Sequence, residues 1–166
     1  MQNGLKQIGT NHFAEDKGLC FNDFSQGMII EHQPGRTITA SDNSWASLLA
    51  MNQHPLHIDD TYASGTTFGR ILVSSLVTFV IVNGMTVHSV SMKGIANLGW
   101  DEVRLTHPVF IGDTLRAAST VQQARLSKTR QGEGIVTVRT EGFNQDDAMV
   151  ISFLRSILFP TVNNDL

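Results

Sequence analysis

The sequence predicts an α+β domain in which an antiparallel sheet wraps a single apolar helix, and three observations lead there. The longest apolar run, "ILVSSLVTFVIV" over residues 71–82, is interrupted by Ser74, Ser75 and Thr78. It falls well short of the roughly 20 residues of a membrane span and reads as a buried core element. Four extended segments follow it, separated by the turn signals "IGD", "TRQGEG" and "NQDD". An element apolar nearly all round needs more cover than one face of a flat sheet supplies, so the strands are expected to curl about it.

The elements run in this order. The N-terminal stretch "MQNGLKQIGTNHFAEDKG" lacks the apolar centre of a signal peptide, and one short N-terminal strand is expected ahead of the helices. Thr39-Ala40-Ser41-Asp42 has the form of a capping box, and Trp45, Leu48 and Leu49 then recur at helical spacing, giving a short helix over about 40–51. Periodicity does not decide the run 71–82, because its β-branched residues suit a strand as well as a helix. The extended segments are 96–110, 114–126, 134–143 and 149–159. In "GIVTVRTEGF", Ile135, Thr137, Arg139 and Glu141 alternate with Val136, Val138 and Thr140, whereas "VISFLRSILF" suits a strand buried on both faces.

At 166 residues the chain is sized for one domain, expected over 1–166 with its core at about 20–160. A hydrophobic fraction of 41%, a charged fraction of 16% and a net charge of -3 exclude a disordered chain. The 12 Lys and Arg are scattered and there is one Tyr, which argues against a nucleic-acid partner. The single cysteine, Cys20, rules out an internal disulfide and a thiolate zinc site, and suits the reducing cytoplasm. No G-x-S-x-G turn, P-loop or G-x-G-x-x-G occurs.

One stretch concentrates chemistry. "MNQHPLHIDD" packs His54, His57, Asp59 and Asp60 around Pro55. His54 and His57 are spaced as metal ligands can be, but a third ligand would have to be Asp59 or Asp60, and neither metal nor cofactor is expected.

The succession "RTITASDNSWASLLAMNQHPLHIDDTYA", "FGRILVSSLV" and "LGWDEVRLTHPVFIGDTL" resembles the MaoC-like dehydratases, the hot-dog-fold family that includes the (R)-specific enoyl-CoA hydratases. "HPLHIDDTYA" looks like that family's D-x-N-P-L-H-x-D-x-x-Y/F-A block, and "HPVFIGDTL" like its P-V-x-x-G-D-T-L turn. The resemblance spans about residues 36–160. It implies a hot-dog fold, a hydratase acting on an enoyl-CoA or, in reverse, a 3-hydroxyacyl-CoA dehydratase, no cofactor, and a homodimer or higher homo-oligomer. In the family an aspartate, and a histidine five residues later, hold a water and move its proton, while a backbone N–H polarises the thioester carbonyl. Hydration needs those three roles: a base near the water, an acid near the α-carbon, and a donor where negative charge builds.

The resemblance maps the histidine onto His57. The aspartate position falls on Asn52 and the family's asparagine on His54. An amide orients water but takes no proton at neutral pH. Three arrangements answer this departure: His57 as the only base with Asn52 holding the water, His54 entering the site, or Asp59 or Asp60 pointing inward. The first ranks highest, since an imidazole moves protons in both directions near neutrality. Asp59 matches a family aspartate taken as structural. The polarising N–H maps onto Val73-Ser74-Ser75-Leu76, with Ser75 in place of a glycine. A helix N-terminus there would be a natural oxyanion site, which favours a helix for the apolar run. Members acting on branched or dicarboxylic acyl-CoAs, such as mesaconyl-CoA or itaconyl-CoA, resemble the chain at this turn. Arg70 and Arg104 are the arginines on hand for a distal carboxylate, and the substrate-binding set is His54, Ser74 and Arg70. A hot-dog acyl-CoA thioesterase and a thioester-binding module that has lost its base stand as the competing classes.

Overall fold

The computed structural model describes residues 4–161, so positions 1–3 and 162–166 of the single domain expected over 1–166 lie outside the described residues. A small hairpin comes first, β1 (Leu5–Gly9) and β2 (His12–Glu15). Strand β3 (Ile29–Thr37) leads into helix α1 (Ala40–Leu49), so that three strands precede the first α-helix where the sequence suggested one short strand. After the loop come a short helix α2 (Asp60–Ser64) and the long helix α3 (Ser75–Thr86), which runs on through one π turn (Val87–Ser91). Strands β4 (Ala96–Leu105), β5 (Thr114–Leu126), β6 (Glu133–Phe143) and β7 (Met149–Pro160) complete the chain. The five-stranded sheet is antiparallel throughout, in the order β3-β5-β6-β7-β4.

The apolar run is thus a helix, but a displaced one. Its first residues are extended, with Leu72 bridging to Phe110, and the helix starts at Ser75 and continues through "NGMT". Val77, Ile81 and Val82 pack on Leu115, Ala117, Ile151 and Phe153 of the sheet. Close contact depends on Gly142 of β6: a Cβ there would lie 2.8 Å from Val82 Cγ2 and 2.8 Å from Ile151 Cγ2. Strand β7 is buried on both faces, as its unbroken apolar pattern requires. At the far end of α3 the buried Arg155 of β7 donates to Asn97 Oδ1 on β4, from Nε at 2.8 Å and Nη2 at 2.5 Å, and to Thr86 Oγ1 at 2.8 Å. That guanidinium ties β7, the edge strand and the helix together.

The sheet does not cover its helix completely. Leu76 and Val80 on α3 stay exposed, and β4 exposes Leu98, Trp100, Val103 and Leu105 along an open edge. The capping box forms as read: Thr39 Oγ1 accepts the Asp42 N–H at 3.2 Å and Asp42 Oδ2 accepts the Thr39 N–H at 2.9 Å, a pairing worth about 1 kcal/mol to the helix start. The stripe of Trp45, Leu48 and Leu49 that marks α1 faces outward, however, and the buried face carries Asn43 and Ser47.

Candidate active site

The loop after α1 is built from local rules. Met51 adopts a φ of 56°, turning the chain out of the helix, and the Asn52 N–H returns to the Ser47 carbonyl at 2.8 Å. Pro55, with φ preset and no N–H to satisfy, opens a single 3-10 turn, Pro55–His57. His54 caps that turn, its Nδ1 accepting the Leu56 N–H at 3.1 Å, and its ring centroid lies 5.8 Å from that of His57. Asp59 caps α2 through Oδ1, which accepts the Tyr62 N–H at 3.0 Å. Its carboxylate has the loop-ordering place expected from its position, and Asp60 lies exposed in the first turn of α2.

His57 is held from two sides. Its Nδ1 lies 2.8 Å from the Leu72 carbonyl. A carbonyl only accepts, so Nδ1 carries the proton and, in the neutral ring, Nε2 keeps its lone pair. The His57 carbonyl accepts from Asn43 Nδ2 at 2.7 Å, and Asn43 Oδ1 accepts the Ser74 N–H at 2.9 Å. One buried amide, 1% exposed, therefore joins the histidine turn to the start of α3.

Ser74 stands at the N-cap of α3 without capping it. Its hydroxyl accepts from Asn52 Nδ2 at 3.2 Å, while Asn52 Oδ1 accepts the His54 N–H at 3.3 Å. The first helical bond runs from the Thr78 N–H to the Ser74 carbonyl at 3.2 Å. The earlier N–H groups of α3 thus have no side-chain cap, which is the arrangement that receives an anion or a polarised oxygen. Beside them opens a cleft of about 250 Å³ lined by Phe68, Leu72, Ser75, Thr78, Leu105 and His107. A wider depression of about 440 Å³ on the outer side of α1, lined by Trp45, Ala46 and Leu49, has Asp42 as its one ionisable group and offers no comparable chemistry.

Of the residues singled out from sequence, Asn52, His57 and Ser74 are joined through Asn43 and Leu72, Ser75 lines the adjoining cleft, and His54 contacts the His57 ring. Arg70 is exposed, its guanidinium 3.8 Å from the Phe110 ring centroid, and that ring meets Phe68 of the cleft at 6.5 Å. Arg104 lies on exposed β4, donating to the Val103 carbonyl, and takes no part in the cluster. Sequence reasoning missed Asn43 and His107. Asn43 left one trace, its i,i+4 spacing from Ser47 on the face opposite the apolar stripe. His107 left none beyond its place before Pro108. Among the described residues no group of three or more His, Cys, Asp or Glu is placed to hold a metal ion, and no helix is long and apolar enough to cross a membrane.

Known proteins resemble this chain in sequence and in fold. The profile of the mesaconyl-CoA hydratase family matches residues 4–164. A mesaconyl-CoA hydratase of Cereibacter sphaeroides is 36% identical over 85% of this chain and 41% of its own length. The solved structure of a MaoC domain dehydratase from Chloroflexus aurantiacus is 33% identical with a TM-score of 0.83, over 90% of this chain and 42% of that one. A Mycobacterium tuberculosis protein described as a double hotdog fold shares the fold at a TM-score of 0.81 and 22% identity, over 89% of this chain and 46% of that one. The chain spans about two fifths of the length of these relatives, the mesaconyl-CoA hydratase of Cereibacter sphaeroides and a beta-methylmalyl-CoA dehydratase of Chloroflexus aurantiacus.

Proposed function

The chain belongs to the mesaconyl-CoA hydratase family, and from that premise we propose that it adds water to an enoyl-CoA thioester, or removes it from the 3-hydroxyacyl form. A branched acyl group carrying a free carboxylate, as in mesaconyl-CoA, fits best. The observation that carries this reading is the pairing of a histidine whose Nδ1 is fixed on a carbonyl with an uncapped helix N-terminus, the two joined by Asn43.

The chemistry follows from that pairing. His57 Nε2 takes a proton from water as its oxygen bonds to the β-carbon. The double-bond electrons move towards the thioester oxygen, where the open N–H groups of Ser75, Leu76 and Val77 at the start of α3 meet the growing charge. The imidazolium then returns the proton to the α-carbon, so hydrogen and hydroxyl are added and nothing is oxidised. Arg70, at the margin of the cleft, is the candidate partner for a distal carboxylate.

The exposed apolar residues of α3 and β4 need cover, and an open edge strand invites pairing. We infer that a second copy of the chain supplies that cover along β4. Light scattering is expected to give a dimer or a multiple of one, and Trp100→Asp to give monomer.

A panel of crotonyl-, mesaconyl- and itaconyl-CoA tests the activity. Loss of enoyl absorbance supports the hydratase. Release of free thiol would replace it with a thioesterase, and binding without turnover would leave only a thioester-binding module.

A further inference from the structure

Serine is among the residues that best cap a helix, because its hydroxyl accepts an N–H of the first turn. Ser74 is in place to do so, at the N-cap of a helix of 12 residues with extended dihedrals of φ -58° and ψ 137°, yet its side chain makes no such bond. Both its polar ends are drawn elsewhere. Asn52 Nδ2 donates to its hydroxyl and Asn43 Oδ1 accepts its N–H. The two amides are themselves oriented, Asn52 by the His54 N–H at 3.3 Å and Asn43 by the His57 carbonyl at 2.7 Å. Ser74 is 1% exposed, so solvent does not compete for these bonds.

We propose that Asn52 and Asn43 are positioning residues that hold Ser74 off its capping role, keeping the first N–H groups of α3 open for the thioester oxygen. The proposal rests on the hydratase reading for its purpose, though not for its geometry. It also gives the Asn52 position a task other than proton transfer. An amide donates to a serine hydroxyl and fixes it, a task for which a base is not needed. Asn43 contributes the second half: because one side chain grips both the His57 carbonyl and the Ser74 N–H, the base and the oxyanion donors are held as a unit.

A double-mutant comparison tests this. In Asn52→Ala the Ser74 hydroxyl is released and swings onto the Leu76 or Val77 N–H, which lowers kcat/KM about tenfold, a part of the loss seen when an oxyanion donor is removed. Adding Ser74→Ala deletes the intruding hydroxyl, and kcat/KM is expected to rise at least threefold above the single variant. A merely structural Asn52 predicts the reverse, since two deletions would do more harm than one. Amide hydrogen exchange supplies a readout free of activity: Leu76 or Val77 slows in Asn52→Ala and returns to the wild-type rate in the double variant. Asn52→Gln, with the amide displaced by one methylene, is expected to move each readout in the same direction should the alanine variant unfold. Unchanged exchange in the single variant, or a double variant no more active than the single, would overturn the proposal. Wild-type protein that hydrates nothing in the panel would sink the hydratase reading alone, leaving exchange to judge how Ser74 is held.

Discussion

His32 and His57 carry the same imidazole and are held in opposite ways. His32 sits in the core, 3% exposed, with Nδ1 at 3.0 Å from Ser89 Oγ and Nε2 at 2.8 Å from Ser119 Oγ, and Ser119 passes the chain on to Thr140 Oγ1 at 2.8 Å. Both of its nitrogens are occupied and water is excluded, so burial pushes its pKa down from 6.5 to about 4. His57 has one nitrogen on the Leu72 carbonyl, stands half-buried in a loop and keeps the other nitrogen free. A fully satisfied histidine thus holds elements together, here β3 to β5 and the π turn, whereas a half-satisfied one is available to move a proton.

Removing the half-satisfied ring has the largest expected effect. His57→Ala should lower kcat for enoyl-CoA hydration by about 10²–10⁴, the usual worth of a positioned base, with little change in melting temperature. A rate within twofold of wild type would end the assignment. His32 should respond in stability instead. Its folded pKa lies below the unfolded value, so between pH 6.5 and about 4 the unfolded chain binds a proton that the folded chain refuses. Its stabilising contribution is complete above pH 6.5 and is lost as pH falls to about 4, a loss of about 3 kcal/mol across that window. Urea midpoints measured from pH 7 to pH 4 should fall more steeply in wild type than in His32→Gln. Parallel curves would show that His32 titrates normally.

Sequence made one of these histidines legible and not the other. His57 lies inside a block whose local rules are readable: Pro55 opens the turn and Asp59 caps the next helix, each within four residues of its partner. The capping box of α1 and the strand pattern of β6 are local in the same sense, and both appear as read. His32 meets Ser89 and Ser119 across 57 and 87 residues, a pairing that no short-range pattern records. Asn43 was hidden for the same reason, its partners lying on two other elements. The outward stripe of α1 marks a different limit. Periodicity shows that a helix is two-faced, but the polar face was needed inward to hold His57 and α3, and only the packed structure reveals that choice.

The smallest change lies beside His57, at Asn52, which a single atom separates from the carboxylate of the family pattern. Asn52→Asp replaces an amide that donates to Ser74 with a group that only accepts. The Ser74 O–H then turns to donate to it, so the serine stays off the helix cap and the α3 N-terminus stays open. The new carboxylate also stands on the loop that carries His57, where it can take a proton from water. A modest gain is therefore expected, about tenfold in kcat, at the low end of a general base's worth because His57 already serves. Stopped-flow hydration of mesaconyl- and crotonyl-CoA at pH 7 measures it. If the aspartate variant is no faster while Asn52→Ala is slower, Asn52 acts through Ser74 alone and His57 is the sole base. If the aspartate variant loses activity as the alanine variant does, the amide's donated hydrogen bond is what the site requires.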